Sequence, residues 1–232
     1  MTEMSLGQRM KNCYELASTF FLMRRTPVIL RLDGKCFHTF TRGCNKPFDR
    51  ELSNAMCETT SNMCQEIQGA KFAYTQSDEI SILLTDYDNL DSSAWFDYKI
   101  QKMCSVAASM CTDLFAQSYV AKRGARFDAR VFNLPPEEVV NYFVWRQKDW
   151  IRNSIQMVAQ SMYSQKQLHG KSNDILLEMI QEEGCDWNTI SKRWKYGNVV
   201  YRPENKRTWC RESAFVFTDN RKFFDKYLLD KE

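Results

Sequence analysis

One stretch of the chain decides the fold: Lys71-Phe72-Ala73-Tyr74-Thr75-Gln76-Ser77-Asp78-Glu79-Ile80-Ser81-Ile82-Leu83-Leu84. Two short apolar runs, 71–74 and 80–84, flank the polar residues 75–79. Short apolar runs separated by a few polar residues are typical of two strands joined by a tight turn. The turn carries two adjacent carboxylates, Asp78 and Glu79. We therefore predict a β-hairpin with acidic residues at its tip.

A second acidic strand end lies upstream, where the apolar run 28–32 is followed by Asp33 and Gly34. Carboxylates brought together from two strand ends repel each other, and a divalent cation relieves that repulsion. The sequence therefore predicts a magnesium site of the kind that handles nucleotide phosphates. Gly34 would allow close approach of the backbone, and its carbonyl is a further candidate ligand.

The two hairpin acids are not equivalent in this prediction. Successive side chains of a strand point to opposite faces, so Asp78 and Glu79 are not both expected to face Asp33. We expect Asp33 and Asp78 to be the shared metal ligands and Glu79 to be a third, less direct catalytic contributor. The alternative is that Asp33-Gly34 is a plain turn and that the hairpin acids are ordinary exposed residues.

Hydrophobic periodicity predicts the other elements. Amphipathic helices are expected over 5–24, from Pro47 to Gly69 and from Ser93 to about Leu114, and a fourth strand over 127–133. The order β-α-β-β-α-β predicts an α+β fold, a ferredoxin-like βαββαβ palm domain with helices on one face of an antiparallel sheet. We assign this catalytic core to residues 1–134. Residues 135–232 form a C-terminal helical and basic region, expected to pack on the same domain.

Composition limits the class of protein. The chain has 232 residues, a net charge of +3 and nine cysteines without metal-site spacing. No run is long and apolar enough for a membrane span or a signal peptide. We expect a cytoplasmic protein that binds no membrane.

Positive charge is concentrated in two regions, Lys122–Arg130 and Lys192–Arg211. In the second region the basic residues are interleaved with Trp194, Tyr196, Tyr201 and Trp209, and nucleic-acid bases stack on aromatic rings. We therefore favour the second region for nucleic-acid binding, with a solvated basic face as the alternative. For triphosphate, the turn Gly34–His38 offers backbone amides, and Lys46 and Lys102 are candidate cations.

Several motifs taken together resemble the tRNA(His) guanylyltransferase superfamily over roughly residues 5–200. They are Arg31-Leu32-Asp33-Gly34-Lys35-Cys36-Phe37-His38-Thr39-Phe40, Lys46-Pro47, Tyr74-Thr75-Gln76-Ser77-Asp78-Glu79, Phe127-Asp128-Ala129-Arg130 and Trp145-Arg146-Gln147-Lys148-Asp149.

The resemblance implies an enzyme that adds nucleotides in the 3′-to-5′ direction to the 5′ end of tRNA, with ATP and GTP as substrates. It implies two Mg²⁺ ions held by Asp33, Asp78 and the Gly34 carbonyl, and a homo-oligomer, commonly a tetramer. The positions around bound triphosphate would be Lys35, Cys36, Phe37, His38, Lys46, Ser77 and Lys102. The candidate contacts to tRNA are Arg130, Arg152, Asn153, Lys192, Arg193 and Lys195.

One stretch departs from the family pattern. Members dedicated to tRNA(His) carry a His-Ile-Asn-Asn type motif after Trp-Arg-Gln-x-Asp, whereas this chain continues Trp150-Ile151-Arg152-Asn153-Ser154. The departure resembles the branch of the superfamily that repairs tRNA 5′ ends by templated addition. Two alternatives remain: non-templated guanylate addition to tRNA(His), and a catalytically silent tRNA-binding protein.

Overall fold

The computed structural model describes residues 4–203 and 208–228, and six strands within these ranges form one sheet. The strands are β1 (Val28–Gly34), β2 (Ala70–Gln76), β3 (Glu79–Leu84), β4 (Phe127–Asn133), β5 (Asn198–Tyr201) and β6 (Cys210–Ser213). Their order across the sheet is β4-β1-β3-β2-β5-β6, and every neighbouring pair is antiparallel. The first four strands have the order expected of the ferredoxin-like palm, so the α+β prediction is confirmed.

The predicted hairpin is present between β2 and β3. Gln76 pairs with Glu79, so Ser77 and Asp78 form a two-residue turn. Ser77 has a φ of 50°, the left-handed conformation that such short turns require. The backbone N–H of Gly34 donates to the Asp78 carbonyl at 3.2 Å, which ties the end of β1 to this turn.

Nine α-helical segments accompany the sheet in the described ranges. They are α1 (Leu6–Met10), α2 (Phe37–Phe40), α3 (Arg50–Glu66), α4 (Ile100–Ser118), α5 (Pro136–Met162), α6 (Gln165–Leu168), α7 (Asn173–Glu182), α8 (Lys192–Tyr196) and α9 (Asp225–Leu228). Among these described helices, none is both long and apolar enough to cross a membrane.

Helices cover both faces of the sheet. The alternate residues Val28, Leu30 and Leu32 of β1 are buried in the core that contains α3 and α4. Ile29 lies on the opposite face, in a second core with Val139 and other side chains of α5 and the C-terminal segment. The palm helices α3 and α4 therefore share one face as predicted, and α5 closes the other, where the odd-numbered side chains of β1 point.

The C-terminal region extends the palm sheet. β5 pairs with β2 along Phe72–Thr75, and β6 pairs with β5. The C-terminal strands β5 and β6 therefore belong to the same sheet as β1 to β4.

The N-terminal segment differs from the predicted helix over 5–24. Regular α-helix is limited to α1, and a π-helical turn (Lys11–Glu15) and a 3₁₀ turn (Leu16–Ser18) follow it. None of these three turns contains a buried residue. Helical stability in proteins comes largely from packing of the apolar face, and no described part of the chain covers this one.

Candidate active site

The two predicted metal ligands lie at one pocket. Asp33 ends β1, Asp78 lies in the hairpin turn, and both line a cavity of about 330 Å³. Side chains of α5 close the cavity from the opposite side, among them Arg146, Trp150 and Asn153. The structure thus brings Asp33 and Asp78 together, and we call this cavity the carboxylate pocket.

Electrostatics in the carboxylate pocket oppose ionisation of Asp78. Burial, together with the charges of Asp33 and Glu79, raises the pKa of Asp78 to about 6, and a hydrogen bond from Ser77 partly offsets this. Removing a carboxylate from water disfavours its charged form, and a neighbouring carboxylate adds to that cost. A bound cation would reverse both effects.

Glu79 is held by two arginines. Its carboxylate is 4% exposed and accepts hydrogen bonds from Arg146, at 2.7 Å from Nε and 2.5 Å from a terminal nitrogen. Arg31 donates to the same carboxylate at 2.6 Å. With two guanidinium groups on its oxygens, Glu79 is a buried ion-pair partner that supports the pocket. Its expected part as a less direct catalytic contributor stays a prediction.

The face prediction for the hairpin acids needs correction. Glu79 is the direct cross-strand partner of Asp33, so these two side chains share a face of the sheet. Asp78 reaches the pocket because it belongs to the turn, where the strand alternation no longer applies. The alternation of side chains along a strand therefore does not, by itself, identify which hairpin acid lies on the same face as Asp33.

Sequence reasoning missed Asp128, which is the partner of Asp33 on the other side, in β4. Its carboxylate is exposed and forms an ion pair with Arg130 at 3.0 Å. Asp128 and Arg130 are two residues apart on a strand, which places both on one face. The spacing of Asp128 and Arg130 in the sequence is the signal that could have identified Asp128 as a neighbour of Asp33.

The turn after β1 is shaped by Phe37. A Cβ on Gly34 would lie 2.2 Å from the Phe37 ring, so only glycine fits beside it. The Phe37 ring is buried against Phe40, Phe115 and Phe127. Its predicted contact with nucleotide is therefore limited to its backbone, because the side chain belongs to the core.

The remaining candidates around triphosphate are on the surface. Lys35, Cys36, His38, Lys46 and Ser77 are exposed. Lys102 is also exposed, and its Nζ lies 4.6 Å from the centroid of the Phe96 ring. Of these residues, only Ser77 lines the carboxylate pocket.

The two candidate tRNA contacts on α5 lie in different places. Asn153 lines the carboxylate pocket, so it is placed to touch a substrate. Arg152 is exposed and forms an ion pair with Asp149.

The basic region 192–211 is less available than predicted. The amine of Lys195, a residue only 8% exposed, donates to the Asn188 carbonyl at 3.0 Å. Arg193 donates to Ser53 at 2.9 Å and Asn54 at 2.8 Å, which fastens α8 to α3. Both residues hold elements together, and their assignment as tRNA contacts stays a prediction. Lys192 is exposed, and Lys206 and Arg207 lie outside the described residues.

The donor set fits a magnesium ion that shares its coordination with substrate. Within the described residues no group of three or more His, Cys, Asp or Glu side chains could hold a metal. Mg²⁺ at nucleotide sites is commonly bound by one or two carboxylates plus phosphates and water. Asp33 and Asp78 supply two such carboxylates. The raised pKa of Asp78 shows that its negative charge is costly in this pocket, and a bound cation would relieve that cost.

An antiparallel βαββαβ sheet with paired carboxylates at the end of β1 and the β2–β3 turn defines a palm-type nucleotidyltransferase domain. The family model described as tRNAHis guanylyltransferase matches residues 7–135. The chain belongs to the tRNA(His) guanylyltransferase family, whose members are nucleotidyltransferases that act in tRNA processing.

Known relatives agree with this assignment. A bacterial tRNA(His) guanylyltransferase-like protein solved in complex with ATP is 40% identical, with a TM-score of 0.91 over 98% of this chain and 100% of that one. A bacterial guanylyltransferase-like protein in complex with GTP is 38% identical, with a TM-score of 0.85 over 96% of this chain and 98% of that one. The Drosophila melanogaster protein named "Probable tRNA(His) guanylyltransferase" is 27% identical over 75% of this chain and 66% of its own length.

Proposed function

We propose that this chain is a magnesium-dependent 3′-5′ nucleotidyltransferase that repairs the 5′ end of tRNA by templated nucleotide addition. The observation that carries the proposal is the carboxylate pocket, where Asp33 and Asp78 share a cavity and the pKa of Asp78 is raised to about 6. Such a pair favours a divalent cation, and nucleotidyl transfer depends on cations at the phosphates.

Asp33, Asp78 and the Gly34 carbonyl would hold two Mg²⁺ ions, which neutralise phosphate charge and stabilise the charge that develops during transfer. The exposed turn Lys35–His38, Ser77, Lys46 and Lys102 would contact the triphosphate of ATP or GTP. The complexes of the bacterial relatives with ATP and GTP support these two substrates.

Arg31, Glu79 and Arg146 fix the geometry of the pocket in this proposal. Arg31 lies 2.6 Å from Glu79 and 3.9 Å from Asp33, so one guanidinium spans both carboxylates of the cross-strand pair. Because Glu79 is neutralised by arginines, the charge left for a cation is that of Asp33 and Asp78. These three residues position the ligands and touch no reacting atom.

The α5 stretch that departs from the family motif supports templated repair over obligatory guanylate addition. Trp150 occupies the wall of the carboxylate pocket and Asn153 lies one helical turn further on. No histidine is present in this stretch. Choice of nucleotide would then come from base pairing with the opposite tRNA strand.

The discriminating experiment uses a 5′-truncated, 5′-triphosphorylated tRNA and each of the four nucleoside triphosphates in turn. We expect incorporation of the nucleotide complementary to the opposing base, and a change of that base should change the nucleotide. Addition of guanylate alone, whatever the opposing base, would establish the tRNA(His)-specific reaction instead. Binding of tRNA without any incorporation would identify a silent binding protein.

We also propose that the protein is a homo-oligomer, the tetramer common in the family being the expected form. The support is the N-terminal segment, which presents its apolar side chains to solvent. Of the 13 large hydrophobic side chains that are exposed among the described residues, eight lie between Met4 and Met23. Concentrated exposed apolar surface is typical of an interaction site.

A further inference from the structure

Exposed cations lie on the segment that follows β1, on the loop before β4 and on β4 itself. We call the set of Lys35, Arg42, Arg123, Arg126 and Arg130 the β4-edge patch. The backbone N–H of Lys35 donates to the Arg126 carbonyl at 2.8 Å, which joins the turn after β1 to the loop before β4. The Lys122 amine contacts the Phe40 and Arg42 carbonyls and fastens the same two segments.

Four of the five charges of this patch are uncompensated among the described residues. All five side chains are exposed, and among the described residues Lys35, Arg42, Arg123 and Arg126 form no ion pair with a carboxylate. Arg130 is paired with Asp128. In the basic region 192–211, by contrast, Lys195 is buried and Arg193 is hydrogen-bonded to α3. Four exposed cations without a carboxylate partner thus lie at the β4 edge, against Lys192, Arg202 and Arg211 among the described residues of the region 192–211.

The patch is larger than a single phosphate group. Arg126 and Arg130 are four residues apart along extended chain, so their Cα atoms are roughly 13 Å apart. Asp128, between them, is the cross-strand partner of Asp33, so Arg130 shares the face on which the carboxylate pocket lies. β4 is an edge strand that pairs only with β1 in the described sheet. A row of cations at an open edge suits the repeated phosphates of a nucleic-acid backbone.

We propose that the β4-edge patch binds the phosphodiester backbone of the tRNA acceptor stem and holds its 5′ end over the carboxylate pocket. The inference rests on the proposed function. It replaces the expectation that the region 192–211 carries the tRNA. Contacts of this kind fix the register of the RNA without reading its sequence.

The test compares three double variants with matched loss of two charges. Arg123→Gln/Arg126→Gln alters the β4-edge patch, Lys192→Gln/Arg202→Gln alters the rival region, and Lys166→Gln/Lys171→Gln is a control outside both. All six side chains are exposed, so the substitutions leave the packing unchanged. Affinity for 5′-triphosphorylated tRNA is measured between 50 and 200 mM salt, together with the KM for tRNA and for nucleoside triphosphate in the addition assay.

We expect the β4-edge variant to bind tRNA about tenfold more weakly. The steepness of the plot of log binding constant against log salt concentration should fall by about two, because two phosphate contacts are lost. Its KM for tRNA should rise while its kcat and its KM for nucleoside triphosphate stay near wild type. The control should match wild type. Weakening confined to the 192/202 variant, or a rise only in the KM for nucleoside triphosphate, would overturn the assignment of the patch. Wild-type protein without any nucleotide addition would instead refute the proposed function.

Discussion

At the scale of single residues, the central feature is a half-buried carboxylate that is costly to ionise. The pKa of Asp78 lies near 6, against an ordinary value of 3.8, mainly because it is buried. The folded protein therefore holds this proton at pH values where the unfolded chain has lost it. The contribution of Asp78 to the free energy of unfolding consequently falls as pH rises from about 4 to about 6, and it remains lower above that range.

Asp78→Asn should remove this pH dependence in metal-free protein. The rise in the pKa of Asp78 from 3.8 to about 6 corresponds to roughly 3 kcal/mol in free energy of unfolding. We expect the variant to exceed wild type in free energy of unfolding by up to that amount at pH 7.5, and the difference to vanish towards pH 4. Urea denaturation at both pH values measures it, with the exposed Asp91→Asn as control. Equal pH slopes for wild type and Asp78→Asn would contradict the burial of this charge.

Substitution of Glu79 should destabilise the protein. Glu79→Gln leaves the two guanidinium groups of Arg31 and Arg146 beside a neutral side chain in a buried site. Removing one partner of a buried ion pair costs about 3–5 kcal/mol, because the other charge stays uncompensated. Thermal denaturation should show this loss for Glu79→Gln and little change for the exposed Glu58→Gln. A Glu79→Gln variant as stable as wild type would refute the supporting role.

The pairing of Glu79 with Arg146 shows what the sequence does not predict at this scale. Asp33, Asp78 and their meeting follow from apolar runs that end on acids. The partner of Glu79 lies 67 residues away on α5, and only the docking of that helix on the sheet decides it. Lys195 is similar, since its burial depends on how α8 packs.

At the scale of elements, the β1–α2 connection depends on one close approach. Gly34 faces the Phe37 ring, and that ring is held by the surrounding aromatic side chains. A methyl group at residue 34 has no room unless the core repacks.

Gly34→Ala should therefore destabilise the protein by about 1–3 kcal/mol, the usual cost of overpacking, and impair nucleotide addition. Gly7→Ala is the matched control, because a Cβ there meets nothing within 4 Å. Denaturant unfolding and the addition assay should separate the two variants. Wild-type stability of Gly34→Ala would show that the turn is not fixed by this contact.

The strands and the main helices of the palm could be predicted because their patterns are strong. Alternating or continuous apolar runs of four to seven residues identify β1 to β4, and a stripe at spacings of three and four identifies α3 and α4. The same periodicity overestimates the helix at the N-terminus. Periodicity reports an amphipathic face, and it does not report whether anything packs against that face.

At the scale of the whole molecule, the exposed N-terminal side chains predict self-association. Leu6→Ser/Tyr14→Ser replaces two side chains that are 66% and 65% exposed, so it should not disturb the fold. We expect a lower apparent mass in analytical ultracentrifugation, whereas Leu90→Ser, at a residue 90% exposed outside this segment, should behave as wild type. A wild-type protein that sediments as a monomer at micromolar concentration would contradict the proposed oligomer.

The most direct test of the account is nucleotide incorporation at the 5′ end of a truncated, 5′-triphosphorylated tRNA by wild type, Asp33→Asn and Asp78→Asn, with circular dichroism as the check on folding. We expect magnesium-dependent addition by wild type that chelation abolishes. We expect a loss of about a thousandfold or more in each folded variant, because each removes a ligand of the cations that would stabilise the transferred phosphoryl group. Near-wild-type incorporation by either variant would contradict the assignment of the carboxylate pocket as the catalytic centre.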